Sequence, residues 1–350
     1  MAKVLIDKGV ILRIAKSIYN FLSDRSGIVQ VNNSMSFIKE IPIGCVQGSV
    51  LGPLLFSIYT SNLEKVLDSD FILTYADDTY VAVVVEQEWL DKGIQRINSV
   101  MESHINWLKS IGMVCNSEKT EFMILGSKTN KELKVDGMKI NPVSKMKILG
   151  LVFQDKLKWD TQVNSALNKA NSMLYAMRYL NRFMSRKQFK QLIHAHYLSK
   201  IMYGSQVWSR TLNVRTVDKI NASFFKIMRL YCKDFDRTLH RHQLVERSEL
   251  RTFTSMRIIG ESKILFRLMK VSEIKYFKQQ FENITYTLNR YPNEIFFRKV
   301  HTRREGQQGI TYRAKFVAEL IPFEWRNLSV ESFDRKINQC TPRFMLGQDG

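Results

Sequence analysis

The chain has 350 residues, enough for two or three domains of common size, and its 45% hydrophobic content excludes a disordered tail. Its 53 Lys and Arg against 33 Asp and Glu give a formal net charge of +20, which favours nucleic acid or another polyanionic surface as partner. That excess is unevenly placed: Met1 to Leu125 hold 11 basic and 14 acidic residues, a net of −3, so everything after Leu125 nets +23.

No stretch reaches the roughly 18 consecutive apolar residues of a membrane span. The N-terminal run "MAKVLIDKGVILRIAKSIYNFL" is broken by Lys3, Asp7, Lys8, Arg13 and Lys16, so it reads as neither a signal peptide nor an acid-free transit peptide. Cys45, Cys115, Cys232 and Cys340 form no C-x-x-C pair, which argues against a disulfide framework or a thiolate zinc site and suits a reducing, intracellular compartment, nuclear or cytoplasmic.

In chain order, Val10, Ile11, Ile14, Ile18, Phe21 and Leu22 recur at helical spacing. Short strands are expected between "GIVQV" and "FIKEIPIG". The Gly-punctuated loop "GCVQGSVLGP" then leads into a helix predicted over "PLLFSIYTSNLEKVL", with Pro53 in its first turn, where a missing N–H costs nothing. "TYADDTY" reads as a hairpin with "ADDT" at its turn. Its flanks "FIL" and "VAVVV" are apolar enough to predict continuously buried strands. The next helix carries Ile94, Ile97, Met101, Ile105, Leu108 and Ile111, and Gly112 closes it. "MVC" and "EFMIL" are predicted as short strands flanking "NSEKT". This order gives an α+β layer, helices against an antiparallel sheet.

After "KMKILGLVF" the periodicity turns helical. Val163, Leu167, Ala170, Leu174, Met177 and Leu180 line one face, and Ser185 with Gln188 forms a capping box for a helix running to about Gly204. Further helices are predicted over Val214–Tyr231 and Met256–Val271, with a weaker signal past Phe277 and no internal repeat.

Two adjacent carboxylates, Asp77 and Asp78, between apolar strands raise the question of what covers or neutralises them. Asp is also an ordinary turn residue. Buried unpaired carboxylates are costly, however, and divalent cations, Mg²⁺ among them, are a common solution. Gly48 permits close backbone approach, with Gln47 and Ser49 supplying polar atoms beside it. Lys119 lies in the "NSEKT" turn, where a solvated lysine is the ordinary reading. His194 and His196 are two apart on a predicted helix and face different ways, as poor a pair of metal ligands as "HRH" at 240–242. "RLYCKDFDR" and "HTRRE" combine basic and aromatic residues, compatible with phosphate contact and stacking and equally with a solvated face.

Taken in order, "QGSVLGPLLFSIY", "YADD", "CNSEKTEFMIL" and "KILGLVF" resemble the reverse transcriptases of non-LTR (LINE, jockey-type) retrotransposons. The resemblance extends to "FLSDR" upstream, to "YLSKIMYGSQVW", which is similar to the family's thumb region, and to "FEWRNLSVESFDRKI" near the end. Val46 departs from the proline common before the Gln. The resemblance implies an RNA-directed DNA polymerase of right-hand fold: a partial palm over 1–125, a primer-grip-like segment and helical thumb over 126–235, and a basic helical C-terminal region over 236–350. It implies Asp77 and Asp78 as ligands of two Mg²⁺ ions, Gln47, Gly48 and Ser49 as nucleotide and template contacts, and Lys119 as proton donor near the leaving pyrophosphate. RNA template, DNA primer and deoxynucleoside triphosphates are the implied partners, with no membrane. Nothing resembles an endonuclease, a ribonuclease H or a zinc knuckle.

The family's site uses a further aspartate on a strand before the QGS loop. Only Asp7, Asp24 and Glu40 are acidic there, none in an apolar strand followed by an aromatic residue. The sequence therefore reads as N-terminally truncated and inactive in primer extension by itself. A catalytically dead nucleic-acid-binding remnant and a protein–protein scaffold reusing the palm are the alternatives.

Overall fold

A computed structural model describes residues 1–127, 131–209, 212–235, 239–271, 325 and 328–339. The chain divides into two compact units, Met1–Met146 and Lys147–Gly350.

The first unit opens with helices α1 (Ala2–Asp7) and α2 (Leu12–Leu22), followed by four two-residue strands, β1 (Ser26–Gly27) to β4 (Lys39–Glu40), with β2 at Gln30–Val31 and β3 at Ser34–Met35. Strand β1 pairs with β4 and β2 with β3, both antiparallel. Helix α3 (Gly52–Thr60) begins as expected with Pro53 in its first turn but stops seven residues short of Leu67. Thr60 and Ser61 turn their hydroxyls back onto the Phe56 and Ile58 carbonyls, and "SNLEK" continues only as a 3₁₀ turn at Leu63–Lys65.

Strands β5 (Phe71–Tyr75) and β6 (Asp78–Ala82) form the expected hairpin. Helix α4 (Leu90–Ser110) follows and buries Val100, Met101, Ile105 and Leu108. Gly112 ends it at φ +74°, where its N–H reaches the Lys109 carbonyl and the Met113 N–H the Leu108 carbonyl. This crossed pair is the Schellman arrangement, which favours glycine at the left-handed position. The strands predicted at "MVC" and "EFMIL" are absent: residues 113–115 and 121–125 are irregular, and one backbone bond, from Val143 to the Phe122 carbonyl, ties the second segment down. A strand exists only where another pairs with it, and the pairing here goes instead to β7 (Leu133–Val135) and β8 (Met138–Ile140).

Small apolar clusters hold the described residues of this unit. Leu5, Ala15 and Leu55 form one, Leu63, Leu67 and Val100 a second, and Met101, Ile105, Leu133 and Val135 a third.

The unit boundary falls within β9 (Lys145–Ile148), which pairs with β10 (Leu151–Gln154). Leu149 and Gly150 between them both take positive φ, the backbone of a tight two-residue turn matching strand twist. Helix α5 (Asp160–Leu180) then presents the predicted face: Val163, Leu167, Ala170 and Met177 are buried, Leu174 is partly buried, and Leu180 is exposed.

The capping box forms at α6 (Arg186–Leu192): Ser185 Oγ accepts the Gln188 N–H while Gln188 Oε1 accepts from the Ser185 N–H. The helix widens into a π turn at Ile193–Leu198 and resumes as α7 (Ser199–Met202). Helices α8 (Ser205–Trp208), α9 (Val214–Cys232), α10 (Arg241–Ser248), α11 (Phe253–Val271) and α12 (Val330–Gln339) complete the described part. Among the described residues a large apolar cluster joins β10 to α11, with Phe189, Ile193, Ile201, Trp208, Ile220 and Phe253 almost fully buried. Phe333 of α12, from the C-terminal segment noted above, stacks on Phe266 of α11 at 3.9 Å between ring centres. Residues 323, 324, 326 and 327 of that segment, all of "HTRRE" and the last two residues of "RLYCKDFDR" lie outside the described residues.

A buried polar chain crosses this core. Ser223 Oγ donates to Asn171 Oδ1 at 2.7 Å, so the Tyr197 hydroxyl, 2.5 Å from Ser223 Oγ, is the donor of that pair. Burial pushes the Tyr197 phenol above its usual value of 10.0. The phenol therefore contributes stability that is present below about pH 10 and lost as pH rises through its raised folded value. Tyr197→Phe leaves Ser223 without its donor and is expected to cost about 1–3 kcal/mol, measured by denaturant unfolding at pH 7.

Candidate functional site

The hairpin places the two carboxylates differently. Tyr75 faces Asp78 across the ladder, so Ala76 and Asp77 are the two turn residues and Asp78 is the first residue of β6. Ala76 takes φ +52°, a left-handed conformation in which a Cβ is disfavoured. Asp77 and Asp78 are both exposed. Asp78 Oδ2 accepts a 3.1 Å hydrogen bond from the Tyr80 hydroxyl. The salt bridges among the described residues of this unit engage Asp68, Asp70, Asp91, Glu132 and Asp136, leaving the pair at the turn outside them.

The strands flanking the pair are not continuously buried, contrary to what their apolar composition predicts. Phe71, Leu73 and Tyr75 of β5 are all exposed, and Val84 and Val85 lie beyond the end of β6. Only one face is covered, with Ile72 and Val81 packed on the Leu63–Leu67–Val100 cluster. Among the described residues β5 and β6 pair only with each other, so both outer edges and one face stay open to solvent. Apolar composition reported the tendency of this segment to be buried; it could not report whether a neighbour covers it.

A feature with no sequence signal anchors the hairpin. Asp70, just before β5, accepts the Val84 N–H at 2.7 Å and a hydrogen bond from Arg96 of α4 at 3.0 Å; Arg96 also pairs with Asp68 at 3.3 Å. The Val84 N–H, opposed by partial burial and aided by Arg96, holds the Asp70 carboxyl below its ordinary 3.8. A carboxyl with a lowered folded value contributes stability at neutral pH and loses it as pH falls below 3.8. Amides of residues 71–82 are therefore expected to lose hydrogen-exchange protection below that pH. In Asp70→Asn that pH dependence should vanish, with protection at pH 7 reduced by about 1 kcal/mol or less, since the pair is solvent-screened.

The QGS loop lies at the start of α3. Gly48 takes φ +81°, and a Cβ there would meet nothing within 4 Å. Backbone sign, rather than close approach of another chain segment, selects glycine at this point. The Ser49 hydroxyl is engaged locally: it donates to the Val46 carbonyl at 2.7 Å and accepts the Gly52 N–H at 3.1 Å, fixing the turn that launches the helix. Gln47 is exposed. At the helix's far end the Tyr59 hydroxyl donates to the Ile111 carbonyl at 2.7 Å, tying α3 to the terminus of α4.

Lys119 is the last residue of a 3₁₀ turn, Ser117–Lys119, and is exposed. Asn116 caps the turn by accepting the Lys119 N–H at 3.2 Å. Among the described residues no group of three or more His, Cys, Asp or Glu comes close enough to hold a metal ion, so Asp7, Asp24 and Glu40 are not gathered with Asp77 and Asp78, and the His194–His196 pair forms no such group. No helix among the described residues is long and apolar enough to cross a membrane.

Residues 8–153 match the family described as reverse transcriptase (RNA-dependent DNA polymerase). The chain is 25% identical over 206 residues to a probable RNA-directed DNA polymerase from transposon BS of Drosophila melanogaster, covering 54% of this chain and 22% of that protein. It is 26% identical over 170 residues to the RNA-directed DNA polymerase from the mobile element jockey of the same organism, covering 46% and 18%. A putative 115 kDa protein in its type-1 retrotransposable element R1DM is 22% identical over 267 residues, covering 73% and 24%. The chain thus spans about a fifth of the length of these relatives. No solved structure matches. The Gly-launched helix, the hairpin with its paired carboxylates and the capped lysine turn all fall inside the matched span, and in that span the chain is similar to the reverse transcriptases of non-LTR retrotransposons.

Proposed function

We propose that this chain carries the hairpin half of a nucleotidyl-transfer site, with Asp77 and Asp78 as carboxylate ligands, acting on a DNA primer, an RNA template and deoxynucleoside triphosphates. The observation that supports it most is the position of the two carboxylates: adjacent, exposed, and outside the ion pairs, at the tip of a hairpin within the matched span. In this reading Gln47 and the backbone around Gly48 bind nucleotide and template, while Ser49 shapes that loop through its bonds to Val46 and Gly52. Lys119 is the proton donor to the leaving pyrophosphate. Residues 1–125 serve as palm, 126–235 as primer grip and thumb, and 236–350 as a basic C-terminal region.

Reverse transcriptases as a family depend on divalent metal ions. An all-oxygen donor pair suits Mg²⁺. The described residues do not complete a two-ion site, however. Asp77 lies in the turn and Asp78 opens β6, and among the described residues no third carboxylate joins them. A further carboxylate from outside the described residues is required.

The test is Mn²⁺ titration of the whole chain, read by paramagnetic broadening of backbone amide signals. Broadening centred on residues 74–80 that disappears in Asp77→Asn/Asp78→Asn is expected. Broadening elsewhere, or unchanged in the double variant, would overturn the assignment of the pair as ligands.

A further inference from the structure

From Thr161 to Val217 the sequence holds nine Lys and Arg and no Asp or Glu over 57 residues. Within this acid-free run the outward face of α5 changes character along its length. Its earlier exposed positions are polar, as at Asn164, Asn168, Lys169 and Ser172. Its last turns instead expose Tyr175 (87%) and Tyr179 (60%), four residues apart, and Phe183 (71%) follows just past the helix end. Residues four apart lie on one helix face, about 6 Å apart along the axis.

The rings are held on rigid backbone. Asn181, itself buried, donates to the Leu230 carbonyl at 2.7 Å and so pins the end of α5 to the end of α9. The Phe183 N–H bonds to the Leu180 carbonyl at 2.9 Å. Tyr179 and Phe183 then tilt against each other, with centres 5.3 Å apart at 59°. On the same patch Phe235, also exposed, lies beneath the Arg178 guanidinium at 5.6 Å, and Arg182 is exposed beside them.

Large exposed aromatics interleaved with arginine, in a region without one acidic residue, match the chemistry of an unpaired polynucleotide: flat bases to stack and phosphates to neutralise. Protein interfaces also use Tyr, Phe and Arg, but nine Lys and Arg against no Asp or Glu across Thr161–Val217 favour a polyanion. We infer that Tyr175, Tyr179 and Phe183, with Arg178 and Arg182, form a stacking platform for single-stranded nucleic acid, RNA in the first instance. The inference adds residues to the nucleic-acid reading above and rests on it, yet it requires neither the hairpin carboxylates nor a metal ion.

Fluorescence anisotropy of a labelled single-stranded RNA 12-mer with the whole chain tests it. Tyr175→Ala, Tyr179→Ala and Phe183→Ala are each expected to weaken binding about tenfold with the salt slope unchanged, because stacking releases no counterions. Tyr179→Phe should bind as the unaltered chain does, since the ring and not the hydroxyl is used. Arg178→Ala and Arg182→Ala should each lower the slope by about 0.7. All five positions are exposed, and circular dichroism of each variant checks that the fold survives. Alanine variants that are folded and bind RNA within twofold of the unaltered chain would overturn the platform. So would self-association of the chain, seen by sedimentation, that the same alanine variants abolish, since the face would then be an interface between copies. Either result with RNA binding itself intact sinks the platform alone; loss of all RNA binding by the unaltered chain sinks the broader reading too.

Discussion

Trp208→Ala is expected to destabilise the second unit by about 3–5 kcal/mol, the range for emptying a buried tryptophan site. Trp208 has no exposed surface, stacks on Phe253 at 6.0 Å between ring centres, and donates its indole N–H to the Tyr203 carbonyl at 3.1 Å. Small and medium domains are stable by only about 5–15 kcal/mol, so the loss would leave the unit marginal. Trp208→Phe keeps most of the apolar contact and forfeits the hydrogen bond, and a smaller loss of about 1–2 kcal/mol should follow. Denaturant unfolding followed by hydrogen exchange at residues 160–230 measures both. Equal stability for the two variants would mean that the site collapses around the missing ring. The same exchange data should show stronger protection over 160–230 than over 1–125, because among the described residues the apolar cluster spanning 160–230 is far larger than those of the first unit.

Primer extension is the other large effect. The whole chain with Mg²⁺ or Mn²⁺ should give no template-directed product above that of Asp77→Asn/Asp78→Asn. A two-metal site short of a carboxylate loses both charge stabilisation and geometry, effects that set rates by orders of magnitude. Product that disappears in the double variant would show that the chain supplies the third ligand itself. Product that persists in it would come from a contaminant.

Local signals in the sequence translated well. The capping box at Ser185 and Gln188, the glycine stop at Gly112 and the apolar face of α5 each depend on residues within a turn or two of one another, and each is present. Features that depend on distant partners did not translate. "MVC" and "EFMIL" have strand composition but no ladder among the described residues, and the strands around Asp77 and Asp78 are apolar yet exposed. The helix predicted to Leu67 stops at Thr60 and continues only as a 3₁₀ turn at Leu63–Lys65, a break that periodicity does not register.

The candidate site divides in the same way. Its motifs were visible as short strings, but the Arg96 clamp on Asp68 and Asp70 spans more than 25 residues and leaves no pattern. The aromatic face of α5 was concealed differently. Tyr175, Tyr179 and Phe183 are ordinary core residues by type, and only their exposure sets them apart.

The most direct measurement of the central claim is binding of a primed RNA template by the folded whole chain across a salt series. With a net +23 after Leu125, the account predicts tight, sequence-tolerant binding at low salt. With about five phosphates of single strand neutralised, log K should fall against log salt with a slope near −3.5, roughly a hundredfold between 50 and 200 mM. A folded chain showing no salt-sensitive binding at low ionic strength would contradict the polymerase reading and leave a protein scaffold as the better account.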